Sequence, residues 1–512
     1  MNRNASLSSN MEQRALTGIE GLDNVLAGGL PANHVYLVVG DPGTGKTTLA
    51  LQFLLEGRRS GETCLYVTLS ESKSELLNVG RSHGWDLSGI TIFELERASD
   101  QLDKDEYYTV FHPAEIELNN AMKRICRQVD ETNPTRVVFD SLSEMRLMAR
   151  DSLRYRRQIL ALKQFFAGRN CTVLLLDDNT SGEGDVQLQS IAHGVINLER
   201  KELEYGGARR RLEVSKMRGL KYSEGGHDYT ILLGGIEVFP RLIASQSRPE
   251  SRDLPDVRPQ VKSDVPGVDE LVGGGLDRGT STLIVGPAGS GKSTLACQYI
   301  IAAIARGERV AAYLFEETRS NYLTRSAGLG MDLRPGLESE LLSIDQIDAA
   351  EVSPGEFAAR LRDAVENRGA TLVVIDSVNG YLSAMPSENF LMLQLHEMLT
   401  YMNQCGVVTI MVMAQHGLMG SSMASPIEIS YLADSVIILR YFEAAGHVKQ
   451  AIAVVKKRTG KHERSIRQFS LSSEGVQVGD PLSDFHGVLT GVPEYRGTAE
   501  ALRPEGQIDA ES

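Results

Sequence analysis

The phosphate-binding pattern G-x-x-x-x-G-K-[ST] occurs twice in this chain. The first copy is Gly40-Asp41-Pro42-Gly43-Thr44-Gly45-Lys46-Thr47 and the second is Gly286-Pro287-Ala288-Gly289-Ser290-Gly291-Lys292-Ser293. The glycines let successive backbone N–H groups close around phosphate oxygens. The lysine reaches the β/γ-phosphates, and the Thr or Ser hydroxyl is a Mg2+ ligand. Each copy follows an apolar run, Val35–Val39 or Thr282–Val285, and precedes a helix-like run. That context, found twice, predicts two nucleoside triphosphate sites. For ATP they take in Gly43, Thr44, Gly45, Lys46, Thr47 and Thr48, and then Gly289, Ser290, Gly291, Lys292, Ser293 and Thr294.

The repetition extends beyond the loops. Gly18-Ile19-Glu20-Gly21-Leu22-Asp23 answers Gly267-Val268-Asp269-Glu270-Leu271, and Gly84-Trp85-Asp86-Leu87 answers Gly330-Met331-Asp332-Leu333. Val137-Val138-Phe139-Asp140-Ser141 answers Val373-Val374-Ile375-Asp376-Ser377, and Lys216-Met217-Arg218 answers Lys456-Lys457-Arg458. All these pairs stand roughly 240 residues apart, which means two whole domains rather than a short-period solenoid. The expected organisation is an N-terminal arm at 1–15, a first domain at 16–244 and a Pro- and Ser-rich linker at 245–259. A second domain follows at 260–481 and a tail at 482–512. Near-continuous apolar runs (Cys64–Leu69, Arg136–Phe139 and Thr172–Leu176; Val310–Phe315, Leu372–Ile375 and Val407–Met413) alternate with helical stretches. The predicted class is therefore α/β, each domain a mostly parallel central sheet flanked by helices. Arg209–Lys216 and Gln450–Lys456 read as hairpin strands instead.

Composition narrows the function. A formal net charge of −14 and no Lys/Arg-rich run argue against gripping a nucleic-acid backbone. The five cysteines are scattered without a C-x-x-C pair, which speaks for a reducing compartment and against a disulfide framework or cysteine metal site. The first ten residues lack an apolar signal core and no apolar run reaches membrane-span length, so the expectation is a soluble, cytoplasmic protein.

The residues also say which kind of P-loop protein this is. Asp140 and Asp376 each end an apolar strand and are read as metal-coordinating carboxylates. Many P-loop ATPases place a catalytic Glu directly after this Asp, but Ser141 and Ser377 stand there. The carboxylates sit instead at the end of the preceding strand, as Ser70-Glu71 and Glu316-Glu317, the RecA-like placement. A Glu there polarises a water or hydroxyl aimed at the γ-phosphate. Lys216/Arg218 and Lys456/Arg458 project to one side of a late strand. They fit either an exposed strand face or cations acting in trans on a neighbouring subunit's γ-phosphate. Their recurrence favours the second and implies a ring.

Taken together, the doubled P-loop, the strand-end Glu positions, the Asp-Ser pairs, the Lys-x-Arg strands and Ile429–Asp434 followed by Val436-Ile437-Ile438-Leu439-Arg440 resemble the KaiC family, from about Leu16 to Gly491. The family consists of two-domain RecA-like ATPases and autokinases of the circadian oscillator and their bacterial relatives. The resemblance implies tandem RecA-like P-loop NTPase domains in a homohexamer of two stacked rings, with ATP and Mg2+ at subunit interfaces. It implies a first ring that hydrolyses ATP slowly and a second that transfers γ-phosphate reversibly to adjacent hydroxyls. The family's Ser-Thr acceptor pair falls on Ser430-Tyr431, so Tyr replaces Thr. Its general base falls on Glu316, also counted as a metal ligand with Thr47, Asp140, Ser293 and Asp376, and Glu317 is the partner.

Ser82, Leu329 (in place of an aromatic), Lys216 and Lys456 are placed at the nucleotide by the same resemblance. Glu71, Arg218 and Arg458 complete the catalytic set. The first domain departs more: Ser70 stands for a Glu, and His193 stands where the second domain has Asp434. Gln415 takes the place of a γ-phosphate sensor, and Pro481–Gly491 matches a loop that modulates kinase activity. Clock adaptor or signalling proteins are the implied partners, at the rings or the tail. Two other readings stand beside the autokinase: a nucleotide-gated scaffold without phosphotransfer, favoured by Ser70 and Tyr431, and, behind it, a RecA-type DNA motor.

Overall fold

A computed structural model describes residues 13–95, 113–149, 151–178, 185–203, 205–245, 259–383, 390–415, 429–444, 446–489 and 494–497. Most of the expected arm, the linker at 246–258 and the tail end at 498–512 lie outside the described residues. The chain divides into two compact units, Met1–Arg241 and Leu242–Ser512.

In the first unit, β1 (Arg14–Ala15) and β2 (Leu30–Pro31) pair around α1 (Glu20–Val25). The main elements follow as β3 (Val35–Gly40), α2 (Lys46–Arg59), β4 (Cys64–Thr68), α3 (Lys73–Ser82), β5 (Ile90–Glu94), α4 (Pro113–Thr132) and β6 (Arg136–Asp140). After them come α5 (Leu142–Ala149), α6 (Ser152–Phe166), β7 (Thr172–Asp177), α7 (Asp185–Ile191), β8 (Gly194–Lys201), β9 (Arg209–Met217), β10 (Gly226–Leu232) and β11 (Gly235–Phe239). These strands form one nine-stranded sheet in the order β11-β10-β9-β8-β3-β7-β6-β4-β5. The β5–β8 side is parallel. The hairpin strands β9, β10 and β11 extend it antiparallel.

The parallel strands are apolar on both faces because helices cover both. Every residue of β3, β4, β6 and β7 is buried. Two apolar layers result, one holding Tyr36, Val38, Leu49 and Phe53, the other Leu37, Leu65, Phe139 and Phe166. Each fully buried aliphatic side chain contributes about 1.5–3 kcal/mol.

The second unit repeats the plan. A small pair, β12 (Gln260–Val261) and β13 (Leu276–Asp277), flanks α8 (Pro266–Leu271). Then come β14 (Ser281–Gly286), α9 (Lys292–Ala305), β15 (Val310–Leu314), α10 (Arg319–Gly328), α11 (Arg334–Glu338), β16 (Leu342–Gln346), α12 (Pro354–Glu366), β17 (Leu372–Asp376) and α13 (Val378–Ser383). Next are α14 (Leu391–Gln404), β18 (Val408–Ala414), a 3-10 turn at Ile429–Tyr431, β19 (Ser435–Ala444), β20 (His447–Lys457), β21 (Ile466–Ser472) and β22 (Gly475–Pro481). A short pair, β23 (Phe485–His486) with β24 (Glu494–Tyr495), closes the order. The sheet order β16-β15-β17-β18-β14-β19-β20-β21-β22 matches that of the first unit strand for strand. Leu242 and Ala244 pack in this unit's core, and the Ala244 N–H donates to Glu397 at 2.9 Å.

These are the tandem RecA-like domains expected. The hairpins at Arg209 and Gln450 are found as β9 and β20, each followed by two further strands that the apolar runs did not announce. In such sheets ligands gather at the carboxyl ends of the parallel strands. Those ends carry the P-loops after β3 and β14, the Glu segments after β4 and β15, and Asp140 and Asp376.

Candidate nucleotide sites

Each P-loop wraps from a buried strand into a helix whose N-cap is a left-handed glycine, Gly45 at φ 95° and Gly291 at φ 94°. A side chain at either position meets core atoms as well as backbone strain: a Cβ at Gly45 falls 2.7 Å from Ile231 Cδ1, and one at Gly291 falls 2.7 Å from Phe469 Cε1. The glycines thus carry each loop directly into a helix N-terminus, the end of a helix that favours an anion, with Thr44 N–H and Ser290 N–H turned back to Asp41 O and Pro287 O, both at 3.3 Å. Thr44, Thr48, Ser290 and Thr294 are buried and brace the loops from within, with the Thr44 hydroxyl donating to Asp41 O at 2.8 Å.

The lysines are both buried but held differently. Lys46 Nζ donates to Gly40 O at 2.6 Å and to Asp41 O at 3.2 Å, and pairs with Asp178 Oδ1 at 2.9 Å. Lys292 Nζ donates to Pro287 O at 2.7 Å. Burial lowers the Lys292 pKa, and the carboxylates of Asp376 and Glu316 oppose that.

At the positions read from the sequence as metal ligands, Thr47 Oγ1 donates to Asp140 Oδ2 at 3.2 Å, and the fully buried Tyr66 hydroxyl donates to the same oxygen. Burial raises the Asp140 pKa above its usual 3.8, while the Tyr66 and Thr47 hydrogen bonds and Lys46 pull it down. In the second unit Ala312 stands at the place of Tyr66, two residues before the strand end. Asp376 Oδ2 is buried with no hydrogen-bond partner among the described residues. Burial raises its pKa too, with the Ser293 hydroxyl and Arg325 opposing.

A hydroxyl and a carboxylate in each unit make a hard, all-oxygen donor set, and the orphaned Asp376 oxygen is an acceptor awaiting a cation. Among the described residues no cluster of three or more His, Cys, Asp or Glu side chains stands ready to hold a metal. A divalent ion there would need further oxygen ligands from water or phosphate, as Mg2+ commonly has.

The strand-end acids occupy equivalent places, because Leu69 N–H donates to Asp140 O at 2.7 Å and Phe315 N–H donates to Asp376 O at 2.8 Å. Ser70 is exposed. Glu71 Oε2 is buried without a hydrogen-bond partner, and burial, then Asp140 and Glu75, raise its pKa. Glu316 Oε1 accepts from Ser377 Oγ at 2.7 Å. Glu317 is clamped by Arg325, with Nη2 2.8 Å from Oε2 and Nε 3.2 Å from Oε1.

The late-strand cations grip their own chain. Lys216 Nζ donates to the carbonyls of Gln189 and Ala192, and Arg218 Nη2 to Ser190 O at 3.0 Å. Lys456 Nζ donates to Ser430 O and Ala433 O, both at 2.7 Å. Arg458 Nη2 donates to Tyr431 O at 2.7 Å, and its Nη1 lies 3.6 Å from Asp434 Oδ1. In both units the pair thus caps the carbonyl end of the short helix before β8 or β19. The middle residue of each triplet turns inward: Met217 is buried, and Lys457 lies almost wholly inside, 3.4 Å from Asp277. His193 and Asp434 are equivalent in the backbone, accepting from Arg218 N–H at 3.1 Å and Arg458 N–H at 2.9 Å. The His193 ring instead stacks on His34 at 3.8 Å.

Ser430 and Tyr431 are exposed. Ser82 ends α3 and Leu329 caps α10, partly buried on the core. Gln415 follows β18 with a buried, unpartnered Oε1.

The structure thus brings each P-loop together with its Asp and its strand-end Glu. Three participants escaped the sequence reading, Tyr66, Asp178 and Arg325, while Ser377 was read only as the residue in place of a Glu. Tyr66 carried a faint signal, being i−2 from a strand end whose repeat partner has Ala312. The others act through contacts between separate segments.

The comparisons with known proteins agree with this geometry. The family model "ATPase: KaiC" matches residues 15–243 and 261–483, one match per unit. The circadian clock protein KaiC3 of Synechocystis is 26% identical over 504 residues, covering 96% of this chain and 97% of its own length. The circadian clock oscillator protein KaiC of Parasynechococcus marenigrum is 28% identical over 507 residues, covering 97% and 96%. That of Synechococcus elongatus is 26% identical over 500 residues, covering 95% and 94%. Two P-loop sites on one repeated RecA-like plan, matched by the same model over almost the whole chain, place this protein in the KaiC family of ATPases.

Proposed function

We propose that the protein is a Mg2+- and ATP-dependent ATPase and autokinase that signals through its own phosphorylation state, in clock-like timing or stress signalling. The observation that carries the reading is the tie between Lys456/Arg458 and the Ser430–Tyr431 carbonyls. It couples the two exposed hydroxyl side chains to cations of the kind that neutralise a transferring phosphoryl group. Tyr431 is 55% exposed, so its phenol is accessible to a reaction partner.

In this reading the active assembly is a homohexamer of two stacked rings, and the hydroxyls of one subunit meet the γ-phosphate held by the P-loop of the next. A proton leaves the acceptor O–H for a carboxylate, Glu316. The acceptor oxygen bonds the γ-phosphorus, the bridging P–O bond breaks, and ADP leaves. Thr47 with Asp140, and Ser293 with Asp376, would hold Mg2+, which would neutralise phosphate charge. Lys46 and Lys292 grip the phosphates. In the first unit Glu71 is the acid–base residue available for hydrolysis. Burial raises its pKa, which strengthens it as a proton acceptor.

The test is peptide mass spectrometry after incubation with Mg·ATP, beside Glu316→Gln and Lys292→Ala variants. Phosphate on Ser430 or Tyr431 that is lost in both variants supports the autokinase. Hexamers without phosphate on either residue leave the second reading, a nucleotide-gated scaffold, which Ser70 in place of a Glu favours.

A further inference from the structure

The two carboxylates after β15 are not equivalent, and a residue on α10 decides between them. Arg325 meets Glu317 through a two-pronged ion pair at 2.8 and 3.2 Å. Its Nη1 reaches Thr294 Oγ1 at 3.4 Å, next to the P-loop Ser293, and its guanidinium lies 5.1 Å from the centroid of the buried Tyr322 ring. A planar guanidinium fixed by an acid, a hydroxyl and an aromatic face is preorganised, and it offsets the charge of the acid it holds. Glu316 receives the opposite treatment. The Ser377 hydroxyl anchors Oε1 at 2.7 Å, and the Gly380 N–H in turn donates to Ser377 Oγ at 3.4 Å. One carboxylate oxygen is oriented and the other is left for a nucleophile.

The first unit has neither device. The residue matching Arg325 is Val79, since Trp85 N–H donates to Gly80 O at 2.8 Å just as Met331 N–H donates to Ser326 O at 2.9 Å. Glu71, the match of Glu317, keeps a buried oxygen without a partner. Ser70 stands in place of Glu316, and Ser141 turns to Ser143 instead.

We propose that Arg325 is a positioning residue of the second site: it withholds Glu317 from proton transfer, so that Glu316, oriented by Ser377, alone accepts the proton of the attacking nucleophile. The first unit, lacking the clamp, uses the position that the second unit withholds. The inference rests on the reading of the second unit as a site of γ-phosphoryl transfer. The chemistry balances as a proton moving from the attacking O–H to Glu316 while the P–O bond to that oxygen forms and the bond to ADP breaks.

The experiment reads ADP formation by the full chain carrying Lys46→Ala, so that the second unit alone contributes. Glu316→Gln in this background lowers kcat by about 10²-fold. Adding Arg325→Val releases Glu317 and raises kcat by about tenfold over Glu316→Gln alone, with KM unchanged. Arg325→Lys, which keeps a cation but not the fork, recovers less. The gain requires a folded chain, so it does not arise from misfolding. A combined variant no faster than Glu316→Gln, with ADP formation by the Lys46→Ala chain intact, overturns the proposal and spares the reading of the site. A Lys46→Ala chain no faster than one that also carries Lys292→Ala overturns both.

Discussion

Asp140 and Asp376 end equivalent strands in two copies of one fold, yet their surroundings differ. In the first unit the carboxylate is satisfied by Tyr66 and Thr47, the P-loop lysine is paired with Asp178, and the nearby Glu71 is unclamped. In the second unit Asp376 keeps an orphaned oxygen, Lys292 rests on a backbone carbonyl, and two glutamates are each committed, one to Ser377 and one to Arg325. The P-loop skeleton is the same in both units. Side chains contributed by neighbouring segments then decide how many carboxylate oxygens are left without a partner. The first site is internally paired; the second leaves Asp376 Oδ2 without a partner.

The comparison breaks most decisively at the lysines. Lys292→Ala abolishes second-unit chemistry, a fall of about 10³-fold or more in phosphoryl transfer, the scale of losing a transition-state cation. First-unit turnover should persist, and rapid-quench assays with labelled ATP report both. Equal loss in both units would mean that they are not separate sites.

Next is Glu71→Gln, expected to lower first-unit ATP hydrolysis by about 10²-fold. Measured in a Lys292→Ala background, an unchanged rate would leave the first unit without its proposed base.

Tyr66→Phe sharpens the contrast in stability. It removes a buried hydrogen bond to a carboxylate, a loss of about 1.5–3 kcal/mol without nucleotide, readable by urea unfolding. A neutral result would mean that the Tyr66 contact contributes nothing net.

The pH response follows from the sign of the shifts. Burial holds Asp140 and Asp376 above 3.8 and Glu71 above 4.5. Their contribution to stability is therefore fully present below those values and is lost as pH rises through the folded ones. Asp140→Asn should flatten part of the decline in nucleotide-free Tm as pH rises above the usual carboxylate range. Parallel Tm–pH curves for wild type and variant would contradict this.

The smallest effect belongs to Asp178→Asn. Its pair with Lys46 is partly open to solvent, so its loss frees the lysine at a gain of at most about 1 kcal/mol, up to fivefold tighter ATP binding by the first unit. Weaker binding would show that Asp178 assists the nucleotide rather than competing with it.

Much of this was legible in the chain. The P-loops were readable because a loop that wraps a phosphate needs glycines at fixed spacing. The parallel strands were readable because burial on both faces demands continuous apolar runs such as Val137–Phe139. The antiparallel additions were less so. In β21, Ile466–Ser472, and β10, Gly226–Leu232, the apolar residues are interspersed with polar ones on half-exposed faces. The Lys-x-Arg pairs were read as facing one side, and they do, but their grip on the Ser190 and Ser430 carbonyls depends on where a separate short helix ends.

The sequence by itself determined the repeat, the two P-loops and the places of the strand-end aspartates and glutamates, because local backbone geometry and strand order oblige those residue types at those spacings. Only the tertiary structure decided which acid is free. Arg325 stands eight residues beyond Glu317, two turns into α10, and becomes its partner because its guanidinium reaches back along the helix to the residue before the N-cap. Ser377 meets Glu316 because β15 and β17 are parallel neighbours with Leu314 opposite Asp376. Tyr66 reaches Asp140 across the equivalent register of β4 and β6. Partnership between side chains is a property of distance in space, and distances between separate segments are set by the packed sheet rather than by any pattern along the chain.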